Sequence, residues 1–210
     1  MSKTITRLFD DYADATNAVR ELERLGVPHD DLSIVASNAD KRHGEHVDQD
    51  HDDVNDRGDV SRGVSTGAAL GGAGGLLAGL GLLAIPGLGP IVAAGWLAAT
   101  AAGAGIGAAG GAATGSIVGA LKSAGHTDEE AHFYSEGVRR GGSLVSAKVP
   151  DRLVTEAEAV LHRNKSVDAT TRGQAYRQSG WTSFDDKAPA YTAGQVQRER
   201  SLYDGETSRV

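Results

Sequence analysis

Three histidines lie among carboxylates in residues 38–63, and imidazole with carboxylate is a ligand set that divalent metal ions accept. They are His43, His46 and His51. Their spacing matches none of the closed four-ligand patterns of structural zinc sites. The segment holds eight Asp or Glu and almost no large apolar residue that could fix a geometry. We therefore predict a solvated acidic linker over 38–63, with a metal site at the three histidines as the alternative.

The rest of the chain offers no arrangement typical of catalysis. There is no Cys, which excludes disulfides, thiolate metal sites and a cysteine nucleophile. Neither a phosphate-binding loop ending in Gly-Lys-Ser/Thr nor a His-Glu-x-x-His helix is present. We therefore expect no catalytic residue, no cofactor and no enzymatic activity.

Two arginines and five aromatic residues remain as candidates for binding. Arg139 and Arg140 fall in the last turn of a predicted helix, where they either complement the helix dipole or contact anionic lipid headgroups. Residues 173–210 contain recurring Gly, Ser and Gln, one Pro and isolated aromatic residues, and are predicted to be a disordered tail. Aromatic residues spaced along such a tail can dock on an unknown partner or on the protein itself. They are Tyr176, Trp181, Phe184, Tyr191 and Tyr203.

The charge is distributed unevenly along the 210 residues. Residues 1–63 carry the whole net charge of −7, residues 64–121 contain no charged residue, and residues 122–210 are balanced. No basic segment is available to release counterions from phosphates, so we expect no nucleic-acid partner. Asp10 and Asp11 stand where a signal peptide would carry its apolar run, so the N-terminus is not expected to be exported.

The charge-free segment 64–121 is predicted to be a Gly/Ala-rich helical hairpin in a membrane. It is dominated by glycine and alanine, together with large aliphatic residues. Residues 64–84 would extend about 31 Å as a helix, which matches a hydrocarbon core of about 30 Å. Residues 91–121 would form the second arm. The residues predicted to make the turn between the arms are Pro86, Gly87, Gly89 and Pro90.

Glycines recur at every fourth residue in both arms. This spacing places them on nearly the same helix face, where they allow close packing of helices in lipid. We therefore predict helix packing and self-association through glycine zippers. The alternative is a soluble oligomeric ligand- or metal-binding module that buries the apolar block in its own assembly. The glycines of the two stripes are Gly67, Gly71, Gly75, Gly79, Gly103, Gly107, Gly111, Gly115 and Gly119.

The segments on either side of the block are both predicted to be βαβ units. Residues 1–37 fit a strand at 4–9, an amphipathic helix at 10–25 ended by Gly26, and a strand at 32–37. Residues 122–172 fit a strand at 143–149, a helix at 151–162 and a short strand at 167–171. Neither unit can bury a sheet face alone. The predicted fold class is therefore α+β, a ferredoxin-like βαββαβ sheet with two helices on one face, split by the hairpin.

One additional helix precedes the second unit. Thr127 is a suitable N-cap, and acidic residues occupy the first turn, where the helix dipole favours negative charge. Gly141 and Gly142 end the helix. His126 and His132 flank its start and are expected to be surface residues.

These segments together resemble the bacterial general stress protein 17M-like family. The resemblance rests on TITRLFDDYADATNAVRELERLGVPHDDLSIVAS, on DEEAHFYSEGVRRGGSLVSAKV, and on IPGLGPIVAAG, which is similar to the apolar insert of longer members. It covers about two-thirds of the chain. It implies a stress-associated bacterial protein of poorly defined activity and gives no catalytic residue.

The expected function is a non-enzymatic, membrane-anchored protein of the bacterial general stress response. Its partners would be the lipid bilayer and further copies of itself, at the bacterial cytoplasmic (inner) membrane. The two βαβ units can share one sheet only if they lie on the same side of the membrane, which requires two crossings. Arg57, Arg62 and Lys122 flank the hairpin on the side of its ends, so both termini are expected to be cytoplasmic.

Overall fold

A computed structural model of the chain describes residues 2–42, 81–106 and 117–203. Within these residues the protein is an α+β structure with one five-stranded antiparallel sheet and seven α-helices. The strands are β1 (Ser2–Phe9), β2 (Leu32–Ser37), β3 (Gly81–Ile85), β4 (Gly89–Gly95) and β5 (Ser143–Pro150). The helices are α1 (Tyr12–Leu25), α2 (Trp96–Ile106), α3 (Ile117–Ser123), α4 (Asp128–Arg139), α5 (Val154–Arg163), α6 (Ala169–Gln178) and α7 (Ala193–Tyr203).

The two flanking segments contribute strands to one sheet. The strand order is β1-β5-β2-β4-β3, so that β5 lies between the two strands of the N-terminal segment. Phe9 lies opposite Ser143 on one side of β5, and Leu32 lies opposite Ala147 on the other. Because the segments interleave, neither can complete its backbone hydrogen bonds without the other.

The N-terminal strands and α1 agree with the sequence prediction. The Asp11 side chain accepts a hydrogen bond from the Ala13 N–H at 2.7 Å and caps α1. Gly26 ends the helix with φ of +98°, in the left-handed region. Val19 and Leu22 are fully buried on the helix face that the periodicity indicates.

The predicted helical arms on both sides of the turn are wrong for residues 81–95, which form the β3–β4 hairpin. The turn itself is confirmed: Gly87 and Gly89 have φ of +77° and +79°, and the Leu88 N–H donates to the Ile85 carbonyl at 3.0 Å. A short uncharged apolar run fits a buried strand as well as a helix. Here β4 takes the strand form because it pairs with β2. Within residues 2–42, 81–106 and 117–203, no helix is long and apolar enough to cross a membrane.

The predicted final strand at 167–171 is also wrong. The Val167 N–H donates to the Leu8 carbonyl at 2.8 Å, which is a single sheet-like bond beside β1. The Asp168 side chain then caps α6 by accepting from the Thr171 N–H at 2.7 Å. Residues predicted to be a disordered tail contain the rest of α6 and all of α7. The strong N-cap at Asp168 outweighs the strand tendency of a few β-branched residues.

Helices cover both faces of the sheet. One face packs against α1 and α5 in a core that includes Phe9, Leu22 and Leu161. The other face packs against α2, α3 and α4, with residues of the C-terminal tail completing this second core. The ferredoxin-like arrangement predicted from the sequence has two helices on one face only, because residues 64–121 are predicted to lie in a membrane.

Candidate functional site

The candidate site lies at the C-terminal end of α4, where the chain reverses into β5. The start of α4 is fixed by a capping box: the Thr127 hydroxyl accepts from the Glu130 N–H, and the Glu130 carboxylate accepts from the Thr127 N–H. This confirms the predicted N-cap. At the other end Gly141 adopts φ of +105°, which turns the chain toward β5.

A buried carboxylate pairs with the two predicted arginines. The Glu136 side chain is fully buried, and its Oε1 accepts from Arg140 Nε at 2.6 Å and from an Arg139 guanidinium nitrogen at 3.0 Å. The three residues are spaced i, i+3 and i+4 and so share one helix face. The arginines therefore have a specific partner besides the helix dipole.

The residues from Trp181 to Tyr203, here called the strap, cover this end of α4. Glu199 of α7 accepts from Arg140 Nη1 at 2.7 Å, and Arg200 donates to the Gly141 carbonyl at 2.7 Å. Arg200 also pairs with Asp40, which follows β2 and has a largely buried side chain. A methyl group built on Gly141 would lie 2.4 Å from Val196, so the strap packs directly on the glycine.

Helix α6 adds a second charged contact. The Arg172 guanidinium donates to both carboxylate oxygens of Asp10, at 2.6 and 2.8 Å, and its carbon lies 3.4 Å from the centre of the Tyr203 ring. Two parallel bonds of this kind fix orientation as well as distance. We use the name arginine cluster for Arg140, Arg172 and Arg200 with their carboxylate partners Asp10, Asp40, Glu136 and Glu199.

The middle of the strap packs on the β3–β4 turn. A methyl group built on Gly87 would lie 3.0 Å from the Phe184 ring and 2.7 Å from the Asp186 Cα. One built on Gly89 would lie 2.7 Å from Ala190. The two turn glycines thus serve a purpose besides their positive φ, since a side chain at either would displace the strap.

The tail aromatics predicted to dock do so on the chain's own body. Tyr176 and Phe184 are 2% and 7% exposed and belong to the second core. The Arg140 guanidinium lies 4.3 Å from the Tyr176 ring centre, and that of Arg139 lies 5.2 Å from the Tyr191 ring centre. An external partner for these aromatics stays a prediction.

Burial and charge pairing act in opposite directions on the arginine cluster. Burial alone would lower the pKa of Arg140, but the hydrogen bond to Glu136 and the charges of Glu136 and Glu199 outweigh it and raise the pKa. Burial raises the pKa of the Tyr176 hydroxyl well above its usual range, although Arg172 opposes the shift. The Arg140 guanidinium therefore stays charged, and the Tyr176 hydroxyl stays neutral, at every physiological pH.

The arginine cluster lines a cavity of about 10 Å³ between Asp10, Gly142, Arg172 and Tyr203. A cavity of this size holds about one water molecule. With the strap in place the cluster therefore binds the chain's own segments and leaves no room for an organic ligand.

A second polar group lies under α4 on the same face of the sheet. Thr6 Oγ1 is 2.7 Å from His126 Nε2 and 2.8 Å from Ser146 Oγ, and His126 Nδ1 is 3.7 Å from a Glu130 carboxylate oxygen. Hydroxyl, imidazole and carboxylate in this order can activate a nucleophile. Thr6, however, is only 1% exposed. The arrangement satisfies buried hydroxyls and gives a substrate no approach to Thr6.

His126 departs from the sequence expectation of a surface residue, because its side chain is only 10% exposed. Burial lowers its pKa, and the nearby Glu130 carboxylate opposes that shift. The neutral imidazole is therefore the form that the folded protein favours.

The remaining predicted sites lie mostly outside the described residues. This applies to His43, His46 and His51 and to most glycines of the two stripes: Gly67, Gly71, Gly75, Gly79, Gly107, Gly111 and Gly115. In the described part of the chain no group of three or more side chains is placed to hold a metal ion. Gly103 falls within α2, where only the backbone is described. A methyl group built on Gly119 would meet nothing within 4 Å, so this glycine makes no close helix contact.

Sequence reasoning found Arg139 and Arg140 but not their partners. Glu136 could have been recognised from its i, i+3 and i+4 spacing to the two arginines. Glu199 and Arg200 stand far along the chain, in a segment predicted to be disordered, and no local pattern links them to α4. Comparison of the chain with family models, with curated proteins and with solved structures found no match.

Proposed function

We propose that this chain is a non-enzymatic binding protein of the bacterial general stress response, in which the described part of the charge-free block, 81–106 and 117–121, belongs to the protein's own core. The stress role rests on the sequence resemblance alone. The placement of the block rests on one observation: Leu88, Ile91 and Leu97 are each 1% exposed and belong to the same core as residues of β2 and β5.

This proposal replaces the two-arm membrane hairpin as the leading hypothesis. Residues 81–95 of the block are used in the sheet, which leaves only 64–80 for the first arm. That range is at the lower limit of the roughly 17–25 apolar residues that a membrane-spanning helix needs. The side chains at Ile91, Val92 and Ala93 are all buried against other parts of the chain.

We further infer that the sheet is a modified ferredoxin-like arrangement. The order β1-β5-β2, with α1 and α5 on one face, corresponds to three of the four strands and both helices of that fold. The bond from the Val167 N–H to the Leu8 carbonyl supports this inference, since it lies at the edge where a fourth strand would pair. The β3–β4 hairpin extends the opposite edge.

We propose that the chain catalyses no reaction, because neither of the two polar groups found among the described residues is open to a substrate. The Thr6–His126 pair is enclosed, and the cavity at the arginine cluster holds about one water. Both groups tie elements of the fold together, which fits a scaffold that binds through its surface.

A pair of lysine substitutions tests where the block lies. Ile91→Lys places a charge in the core and is expected to destabilise the purified protein by about 3 kcal/mol or more, measured by urea unfolding. Ala84→Lys, at an exposed position of β3, is the matched control and should change stability by less than about 0.5 kcal/mol. If instead Ile91→Lys leaves the fold unchanged and reduces the membrane-bound fraction of the protein, the block is an anchor.

Fractionation of cells tests the same point in vivo. Washing membranes with alkaline carbonate should release the wild-type protein, and it should stay monodisperse without detergent. Retention in the carbonate-washed membranes would contradict the proposal. The stress role is checked separately by measuring the abundance of the protein in cells, which should rise after heat or salt stress.

A further inference from the structure

Helix α7 is held to the body by few contacts, most of them ionic or polar. Within this fully described helix only Val196 is buried. Tyr203 is partly buried against the second core, beneath the Arg172 guanidinium. The other close contacts join Glu199 to Arg140, and Arg200 to Asp40 and the Gly141 carbonyl. Leu202, by contrast, is 67% exposed on the same helix. An isolated helix as short as α7 is marginally stable in water, so α7 depends on these contacts.

The sheet does not depend on α7 in return. The five strands of the described residues pair with one another, and no strap residue takes part in that ladder. The ionic contacts of α7 weaken as salt increases, whereas the sheet is held by backbone bonds and apolar burial. Release of α7 alone therefore costs less than unfolding of the body.

The join between α6 and α7 permits such a release. The segment 179–192 contains neither helix nor strand. Its residues 185–192, which follow Phe184 of the second core, can span about 26 Å when fully extended. A released α7 can therefore reach the body of a neighbouring molecule.

We propose that the surface beneath α7 is an exchange site, which α7 of a second copy of this chain binds in trans. The occupant follows from the contacts themselves. Val196 fits where Gly141 lacks a side chain, Glu199 faces Arg140, and Arg200 faces Asp40. A second copy supplies the same three side chains in the same order.

The closed form dominates in the wild-type chain at low concentration. A tethered segment experiences an effective concentration in the millimolar range, which exceeds that of a second copy. Exchange becomes favourable when a substitution destabilises the contact of α7 with its own chain but leaves the same contact between two chains intact. Asp40 and Arg200 allow this, because they belong to opposite sides of the contact.

Two charge-reversed chains provide the test. Asp40→Arg sets the new guanidinium group against Arg200 and against Arg42, which also pairs with Asp40. Arg200→Glu sets two carboxylates against each other within the other chain. In a reciprocally exchanged pair, both contacts between positions 40 and 200 are then matched in charge. We expect each variant alone to sediment as a single chain of 21.6 kDa and the equimolar mixture to double in mass.

Four outcomes of this measurement decide the matter. A mixture that stays at the mass of one chain overturns the proposal, and so does dimer formation of equal extent in the separate variants. The double variant, with Asp40→Arg and Arg200→Glu on one chain, should return to a single chain. Arg198→Glu, at an exposed position of α7, replaces Arg200→Glu as the control and should give no dimer with Asp40→Arg.

A second measurement tests the contact between positions 40 and 200 without reversing the charge of a buried side chain. Because the chain has no cysteine, Asp40→Cys on one copy and Arg200→Cys on another can join only between molecules. Oxidation of the mixture in raised salt should give several-fold more disulfide-linked dimer than the pair Asp40→Cys and Arg198→Cys. Equal yields would overturn the exchange site.

Discussion

Glu136 is the residue on which the arginine cluster is centred. Its carboxylate is fully buried and is paired with both Arg139 and Arg140. Removing the charge leaves two guanidinium groups with reduced compensation in a place from which water is largely excluded. The same feature makes Glu136 more important to the fold than any exposed carboxylate of α4.

Glu136→Gln is therefore expected to destabilise the protein by about 3–5 kcal/mol, measured by urea unfolding at pH 7. Glu158→Gln is the control, because its pairing with Lys3 is exposed and should contribute less than about 1 kcal/mol. Similar losses for the two variants would show that the buried pairing carries no special stability.

The lowered pKa of His126 predicts how the stability of the protein depends on pH. Its pKa is lowered in the folded protein, so the unfolded chain binds more protons near pH 6. Stability from this group is complete above the unfolded pKa of about 6.5 and is lost as pH falls toward the folded pKa. Glu130 stays ionised across this range, because the backbone hydrogen bond at Thr127 lowers its pKa.

The measurement is the free energy of unfolding between pH 8 and pH 5. The wild-type protein should lose stability through that range, and His126→Gln should lose less. His162→Gln, on the exposed surface of α5, should keep the wild-type slope. Parallel curves for all three proteins would assign the pH dependence to other groups.

At the scale of elements, two glycines with similar backbone angles allow the effect of backbone strain to be measured apart from the effect of packing against α7. Gly141 and Gly125 have φ of +105° and +98°, but only at Gly141 would a methyl group meet the strap. Both Gly→Ala variants should lose about 1–2 kcal/mol from backbone strain. Gly141→Ala should also displace α7.

Limited digestion with trypsin measures that displacement. Cleavage after Arg198 and Arg200 should be faster in Gly141→Ala than in Gly125→Ala, since a detached α7 exposes its backbone. Equal rates in the two variants would mean that α7 tolerates the added methyl group.

Elements with local signals were predictable from the sequence, and elements decided by distant partners were not. The N-cap at Thr127, the apolar periodicity of α1 and the glycine that ends α1 act within a few residues, so they identify α1 and α4. Strand β4 depends on β2, which lies far before it in the sequence. The arginine cluster follows the same rule, since Arg140 was found and Glu199 was not.

At the scale of the molecule, the position of β5 predicts what a break in the chain does. The N-terminal strands lie on both sides of β5, and both pairings run through it. Cleavage at an engineered protease site after Gly63 should therefore leave two fragments that co-purify. Fragment 1–63 alone should give the circular dichroism of an unfolded chain, because it lacks the strand between its own two.

The fragments are compared by size-exclusion chromatography before and after denaturation in concentrated urea. Separation without urea would mean that the sheet does not hold the halves together. Intact chain mixed with fragment 1–63 serves as the control, because its β5 is already paired on both sides.

The strand order also sets a waiting time during synthesis. After Ser37, which ends β2, the ribosome must add roughly 100 residues before it reaches Ser143, which begins β5, and at typical rates of synthesis this takes about 5–20 s. Throughout that interval β1 and β2 exist as nascent chain with their inner edges unpaired, since the strand that joins them has not been made. The protein is therefore most open to capture by chaperones, and to mispairing with its neighbours on a polysome, in the seconds before β5 emerges.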